Sequence, residues 1–317
     1  MKEYEKNKVD LHLHMDGSLP LSIIPRLAEM SGVILPDKPL EEVFSVPADC
    51  RSLVDYLKCF DMPGKLLQTK ECISYACEQL LRELYQDHVM LAEVRFAPQL
   101  HKKRGLTGEE IVNAAISGMN KALVDCPEMK AGLILCMMIG GEEAENLETV
   151  ELAGSFLGKG VIALDIAGAE GMEPAEKFVP MFQRAKELGI PFTIHAGECG
   201  SYDHINLAMD LAASRIGHGV AAIYSEETME RLVREQIALE VCVISNLQTL
   251  AVPPEETHPV KKLLDRGICV TINTDNMTVS GTSLTREYDN LVKHYGFTEA
   301  DILKVQENAR RASFIKG

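Results

Sequence analysis

Two histidines separated by a single residue, His12 and His14, stand within the run VDLHLHMDG. Side chains two apart on a strand point the same way, so this pair can hold one metal ion together. His195-Ala196-Gly197-Glu198, Gly217-His218-Gly219 and Asn273-Thr274-Asp275 likewise close short aliphatic runs. Three imidazoles plus a carboxylate suit zinc, with one position left for water. Zinc brings the pKa of such a water to about 7, which makes hydroxide available at neutral pH. A lone histidine is more often structural or solvated than a ligand, and an HxH pair by itself is weak evidence. Repetition at one kind of position carries the argument. His88, His101, His258 and His294 lack that setting and read as structural or solvated, and His204 reads as a helix-start histidine.

Those positions are set by alternating elements. Strands are expected at 9–13, 89–96, 132–138, 161–166, 192–195, 215–218, 238–241 and 270–273, mostly as continuous apolar runs, the pattern of strands buried on both faces. Helical patterns lie between them. Ile73, Ala76, Cys77, Leu80, Leu81 and Leu84 share a face, and Thr107 with Glu110 forms a capping box. Phe178, Phe182, Ala185 and Leu188 repeat at helical spacing up to Gly189. Ser225 reads as an N-cap, and Thr298 with Asp301 opens the final helix. Eight strand–helix units imply a single α/β domain over residues 1–317, a (β/α)8 TIM barrel, with an open doubly wound sheet as the alternative. In such a barrel chemistry sits at the C-terminal strand ends, where the residues above fall. The stretch from 18 to 68 is too long for one barrel helix and reads as helices inserted after strand one, over the barrel mouth.

Composition narrows the function classes. The 317 residues carry 46% hydrophobic and 25% charged side chains, the balance of a chain that buries a real core. The net charge of −15 argues against nucleic acid as a partner. No apolar run is long enough for a signal peptide or a membrane span. Nine cysteines without a CxxC pair point to reduced thiols in a cytoplasm.

At these residues the sequence resembles the adenosine deaminase family of the amidohydrolase superfamily. The matching segments are LHLHMDGSL at 11–19, ALDIAGAE at 163–170, HAGE at 195–198, RIGHG at 215–219, SNLQT at 245–249, INTD at 272–275 and NARRASF at 308–314. The resemblance implies one zinc per chain, held by His12, His14, His195 and Asp275. It implies that Glu198 gives a proton to purine N1 as hydroxide adds to C6. His218 would lie beside the attacking water, as base or as electrostatic stabiliser, and Asp275 would also orient the attacking oxygen. The main-chain N–H of Gly168 would meet purine N3, where a side chain would crowd the ring. Asp16 would hold the ribose 5′-hydroxyl, and Leu53, Tyr56 and Leu57 would cover the nucleoside.

Related metal barrels often bind two metals through a bridging lysine or glutamate at the end of strand four. Here that strand ends in LDIAG, which favours one zinc and leaves Asp165 a supporting structural residue. The family usually has a second aspartate and a proline after INTD, where this chain has Asn276 and Met277. Asn276 is therefore expected to donate its side-chain amide to purine N7. Cys242-Val243-Ile244-Ser245-Asn246 also lacks the family's usual proline. The implied substrate is a small purine nucleoside, adenosine or 2′-deoxyadenosine. Adenine deaminases share most motifs but usually carry HLEG where Asp16 lies in HMDG. A modified adenine nucleoside is the other substrate alternative, and an inactive barrel serving as a binding module is the alternative from another class.

Overall fold

The computed structural model describes residues 3–47, 50, 52–199 and 201–316. Each aliphatic run is a strand: β1 Lys8–His14, β2 Val89–Phe96, β3 Lys130–Met138, β4 Val161–Ala167, β5 Thr193–Ala196, β6 Arg215–His218, β7 Ala238–Val241 and β8 Cys269–Ile272. The expected boundaries hold within two residues, with Phe192 and Asn273 falling just outside β5 and β8.

All pairings are parallel, in the orders β1-β2-β3-β4 and β5-β6-β7-β8. Two parallel bridges join these halves. Leu164 pairs with Phe192, and the Leu164 N–H donates to Pro191 O at 3.0 Å. At the other seam Leu13 pairs with Asp275, whose N–H donates to His12 O at 2.8 Å while the His14 N–H donates to Asp275 O at 2.7 Å. The seams make the two sheets one ring, the (β/α)8 barrel expected from the alternation. The second seam also ties β1 to the segment after β8, where three of the chemically interesting side chains meet.

The helices form where local rules place them. Lys70–Gln86 buries Ile73, Ala76, Cys77, Leu80, Leu81 and Leu84 against the core and starts at a Thr69 cap. Thr107–Glu110 and Thr298–Asp301 are reciprocal capping boxes, and the Ser225 side chain accepts from Thr228 N. Gly189, at φ 67°, follows the helix Val179–Glu187. The segment after β1 folds into short helices, Ile24–Ser31, Leu40–Phe44, Leu53–Leu57 and Asp61–Leu66. It docks on the loop that follows β8: Val46 N–H donates to Val279 O at 2.8 Å, and the Tyr56 hydroxyl lies 2.6 Å from Ser280 Oγ. That docking sets it over the C-terminal mouth. No helix among the described residues is long and apolar enough to cross a membrane.

Barrel interiors of this class are usually filled by branched aliphatic side chains. This one instead buries Glu93, Arg95, Asp165, Arg215 and Glu240, none more than 1% exposed. Arg215 pairs with Glu93 at 2.6 Å and also with Glu240, while Arg95 pairs with Asp165 at 2.6 Å and Glu240 at 2.8 Å. Paired and hydrogen-bonded charges of this kind survive burial, whereas an unpaired one would not.

Candidate active site

Four donor atoms converge where β1, β5 and the segment after β8 end. His14 Nε2 lies 3.3 Å from His195 Nε2, and Asp275 Oδ1 lies 3.5 Å from both His12 Nε2 and His14 Nε2. Ligands about 2.0–2.1 Å from a tetrahedral ion stand roughly 3.3–3.4 Å apart, so these gaps suit one ion of zinc's size. His12 Nε2 is buried and has no hydrogen-bond partner, a costly state for a nitrogen unless its lone pair meets a cation. Burial holds the His14 imidazole well below its ordinary pKa, in the neutral form a metal needs. Burial works against Asp275 ionising, but its contact with His12 outweighs it and keeps the carboxyl far below its usual range. The cluster fits a single bound metal ion.

The charged interior aims these ligands. His12 Nδ1 lies 2.9 Å from Glu240 Oε2, and His195 Nδ1 lies 2.9 Å from Asp165 Oδ2. The Glu240 carboxylate accepts from His12 Nδ1 and so turns its Nε2 lone pair to the metal position, while Asp165 stands as the ion-pair partner beside His195. Arg95 bridges both carboxylates and also donates to Leu11 O at 2.6 Å, so one guanidinium braces two ligands. Ser245 Oγ donates to Asp275 Oδ2, leaving Oδ1 for the cluster. Asp165 thus occupies the supporting position its sequence context suggested.

Glu198 is 4% exposed, and burial, reinforced by the Asp275 charge, pushes its carboxyl up to about 8. It is therefore protonated at neutral pH, as a proton donor must be. Its loop is pinned from behind by Glu170, which accepts from the backbone N–H groups of Gly197, Glu198 and Cys199 at 2.7–2.8 Å and pairs with His204 Nδ1 at 2.6 Å. His204 does start a helix, Tyr202–Asp210, yet its ring serves this loop. His218 Nε2 lies 3.7 Å from Glu198 Oε2, and burial, with His12 nearby, keeps its imidazole neutral. His218 and Asp275 both hold positive φ, 60° and 58°, a conformation that costs of order 1–3 kcal/mol and clusters at functional sites.

A cavity of about 200 Å³ opens above the cluster, lined by His14, Asp16, Gly168, His195, Glu198, His218, Asp275 and Asn276. Leu53, Tyr56 and Leu57 form part of its wall, as does Phe60 from the same inserted segment. The volume is small beside the roughly 300–1,000 Å³ of sites for drug-sized ligands, and suits one small molecule. Every residue given a catalytic, metal-binding or substrate-binding role in the sequence thus borders this space except His12, which is fully buried. Gly168 holds φ +118°, and a Cβ there would stand 3.1 Å from Ile139 O. Its glycine is therefore required by the backbone itself, before any ligand is considered. Asn276 packs on Gly17, where any Cβ would fall 1.8 Å from Asn276 Oδ1, and that oxygen is buried without a partner. Sequence reasoning missed Glu170, Arg95 and Glu240, and the apolar wall of Ala97, Leu100, Cys136 and Met138. Glu170 lay inside a quoted motif, but nothing in its spacing told of three N–H partners.

Residues 7–317 match the family model for adenosine deaminase. The adenosine deaminase of Haemophilus ducreyi is 42% identical over 314 residues, covering 97% of this chain and 91% of its own. That of Clostridium botulinum is 40% identical over 311 residues, covering 97% and 92%. Among solved structures, the adenine deaminase of Arthrobacter aurescens superposes with a TM-score of 0.88 at 28% identity, covering 98% of this chain and 94% of that one. The N6-methyl-AMP deaminase of Arabidopsis thaliana gives 0.84 at 25% identity, covering 99% and 93%.

Proposed function

The chain belongs to the adenosine deaminase family, and from that premise we propose that it hydrolyses adenosine and 2′-deoxyadenosine at C6, giving inosine or 2′-deoxyinosine and ammonia, with one zinc ion per chain. The observation that carries this reading is Glu198, buried and pushed up to about 8, set 3.7 Å from His218 beside the four-donor cluster in one small cavity. A neutral carboxylic acid next to a metal position is the pairing that hydrolytic removal of a ring amino group needs.

His12, His14, His195 and Asp275 would hold the zinc. Bound there, zinc would lower the pKa of a water to about 7 and so supply hydroxide at neutral pH. Glu198 gives its proton to purine N1 as the attacking oxygen adds to C6, because charge builds on that nitrogen. His218 lies beside the attacking oxygen, and Asp275 orients it. Asp16 holds the ribose 5′-hydroxyl, the Gly168 N–H meets N3, and Asn276 donates its amide to N7. Leu53, Tyr56 and Leu57 close over the nucleoside. A single ion is supported by Asp165, which is already engaged by Arg95 and His195, and by the absence of a lysine at the end of β4.

We take the whole chain, 1–317, as one catalytic domain, a reading supported by the extent of the family match. A reducing cytoplasm is supported by the nine cysteines, which form no disulfide among the described residues.

The test is a panel of adenosine, 2′-deoxyadenosine, adenine, methylthioadenosine and 7-deazaadenosine, followed by loss of absorbance near the adenine band. The two unmodified nucleosides turn over well. 7-Deazaadenosine falls sharply in kcat/KM, since a buried donor loses its acceptor. Preference for free adenine would overturn the nucleoside assignment, and equal turnover of 7-deazaadenosine would remove Asn276 from the N7 contact.

A further inference from the structure

We propose that Asn246 and His258 are positioning residues that lock His218 in the tautomer with its proton on Nε2, so that His218 gives a hydrogen bond to the attacking oxygen and does not take its proton. The proposal rests on the reading above, which sets His218 beside that oxygen and leaves its role open between base and stabiliser.

The direction of a chain of hydrogen bonds decides between the two. It begins at a group whose role is fixed: the backbone N–H of Val260 donates to His258 Nδ1 at 3.1 Å. An amide N–H can only donate, so Nδ1 of His258 carries a lone pair. His258 is 3% exposed, and burial pushes its imidazole down to about 3, so the ring is neutral and its one proton sits on Nε2. That nitrogen lies 3.4 Å from Asn246 Oδ1, which accepts. The amide is thereby oriented, and its other end, Nδ2, faces His218 Nδ1 at 3.0 Å. An amide nitrogen has no free lone pair, so Nδ2 donates and Nδ1 of His218 accepts. The remaining proton of His218 is on Nε2, the atom 3.7 Å from Glu198 Oε2.

Asn246 is well placed to hold this direction. It is fully buried within the helix Val243–Gln248, and its own N–H donates to Cys242 O at 2.8 Å. His218 is itself buried, at 1% exposure, which leaves its ring little room to swing away. A base at this position would need a lone pair on Nε2, which this chain of donors denies it. No proton or electron pair moves at His218; it contributes a fixed dipole where negative charge gathers.

The tautomer is read directly from a long-range 1H–15N correlation spectrum of zinc-loaded, 15N-histidine-labelled protein without substrate. A His218→Gln sample identifies the resonances. The expected pattern for His218 is an unprotonated Nδ1 and a protonated Nε2. In Asn246→Asp the new carboxylate accepts, which draws a proton onto Nδ1 and changes the pattern. Deamination of adenosine then falls by about 10²-fold or more in kcat, with KM and zinc content little changed. A wild-type His218 protonated on Nδ1, or a pattern unmoved by Asn246→Asp, would overturn the proposal. Should that variant not fold, the wild-type spectrum decides alone. Because the tautomer is read without substrate, its failure and a failure of the adenosine assignment in the panel are separate observations.

Discussion

The Glu170 carboxylate accepts the backbone N–H of Glu198 at 2.7 Å, so the residue proposed to protonate the purine is held by a second acid rather than by its own strand. Burial opposes ionisation of Glu170, but His204 and the Gly197 and Cys199 N–H groups keep it below its ordinary pKa. Glu170→Gln replaces one acceptor oxygen by a donor that faces N–H groups. A charged hydrogen bond is worth about 1.5–3 kcal/mol, so kcat is expected to fall roughly 10- to 100-fold with zinc retained. An unchanged kcat in a folded, zinc-loaded variant would show that the loop holds itself.

Arg95 braces Asp165 and Glu240, which stand behind His195 and His12. Arg95→Met leaves the buried Asp165 carboxylate without its guanidinium and Glu240 with Arg215 alone, and removing one partner from such a network costs about 3–5 kcal/mol. Urea unfolding is expected to show that loss, and zinc affinity to drop about 10–100-fold as the imidazoles lose their orientation. Normal stability with normal zinc affinity would mean the barrel rearranges around the gap.

Burial pushes the Glu287 carboxyl up to about 8, so it is neutral in the folded protein at pH 7 and would ionise freely once unfolded. A raised folded-state value favours the folded state below the ordinary carboxylate range, and that advantage fades as pH rises toward 8. The decline is of order 1.4 kcal/mol for each pH unit between the two pKa values. Glu287→Gln cannot ionise, so its melting temperature should decline less than wild type between pH 5 and pH 9. Parallel decline in the two proteins would contradict a buried neutral Glu287.

Asp16 borders the cavity and is 7% exposed. If it holds the 5′-hydroxyl, Asp16→Ala loses about 1.5–3 kcal/mol of binding on adenosine and little on 5′-deoxyadenosine. Comparing kcat/KM on the two substrates checks this. Equal losses would shift Asp16 to support of the fold or the metal position, and would reopen adenine as substrate.

Much of this site was legible because its parts obey local rules. The strands are aliphatic runs buried on both faces, so their ends, where His14, His195, His218 and Asp275 lie, could be marked within two residues. Thr107 and Glu110 announce their helix by spacing alone. The bracing was not legible. Arg95 and Glu240 meet across 145 residues of chain, and a charge inside an aliphatic strand reads locally as a surface position. His258 read as structural or solvated for the same cause. Its meaning depends on Asn246 and on the Val260 N–H, and only the fold brings those to His218. The apolar wall of the cavity, with Leu100, Cys136 and Met138, comes from loops and strand ends that carry no motif.

In the proposed reaction Glu198 protonates the purine during a metal-assisted addition of water to adenosine. This role is tested most directly by kcat for adenosine in zinc-loaded wild type and Glu198→Gln, with zinc content measured on the same samples. An amide cannot deliver the proton, and general acid catalysis alone is commonly worth about 10²–10⁴-fold. Equal zinc, one ion per chain, and a loss of at least that size in the variant are expected. Near-equal turnover by the two proteins, or no inosine from either, would contradict the proposed reaction.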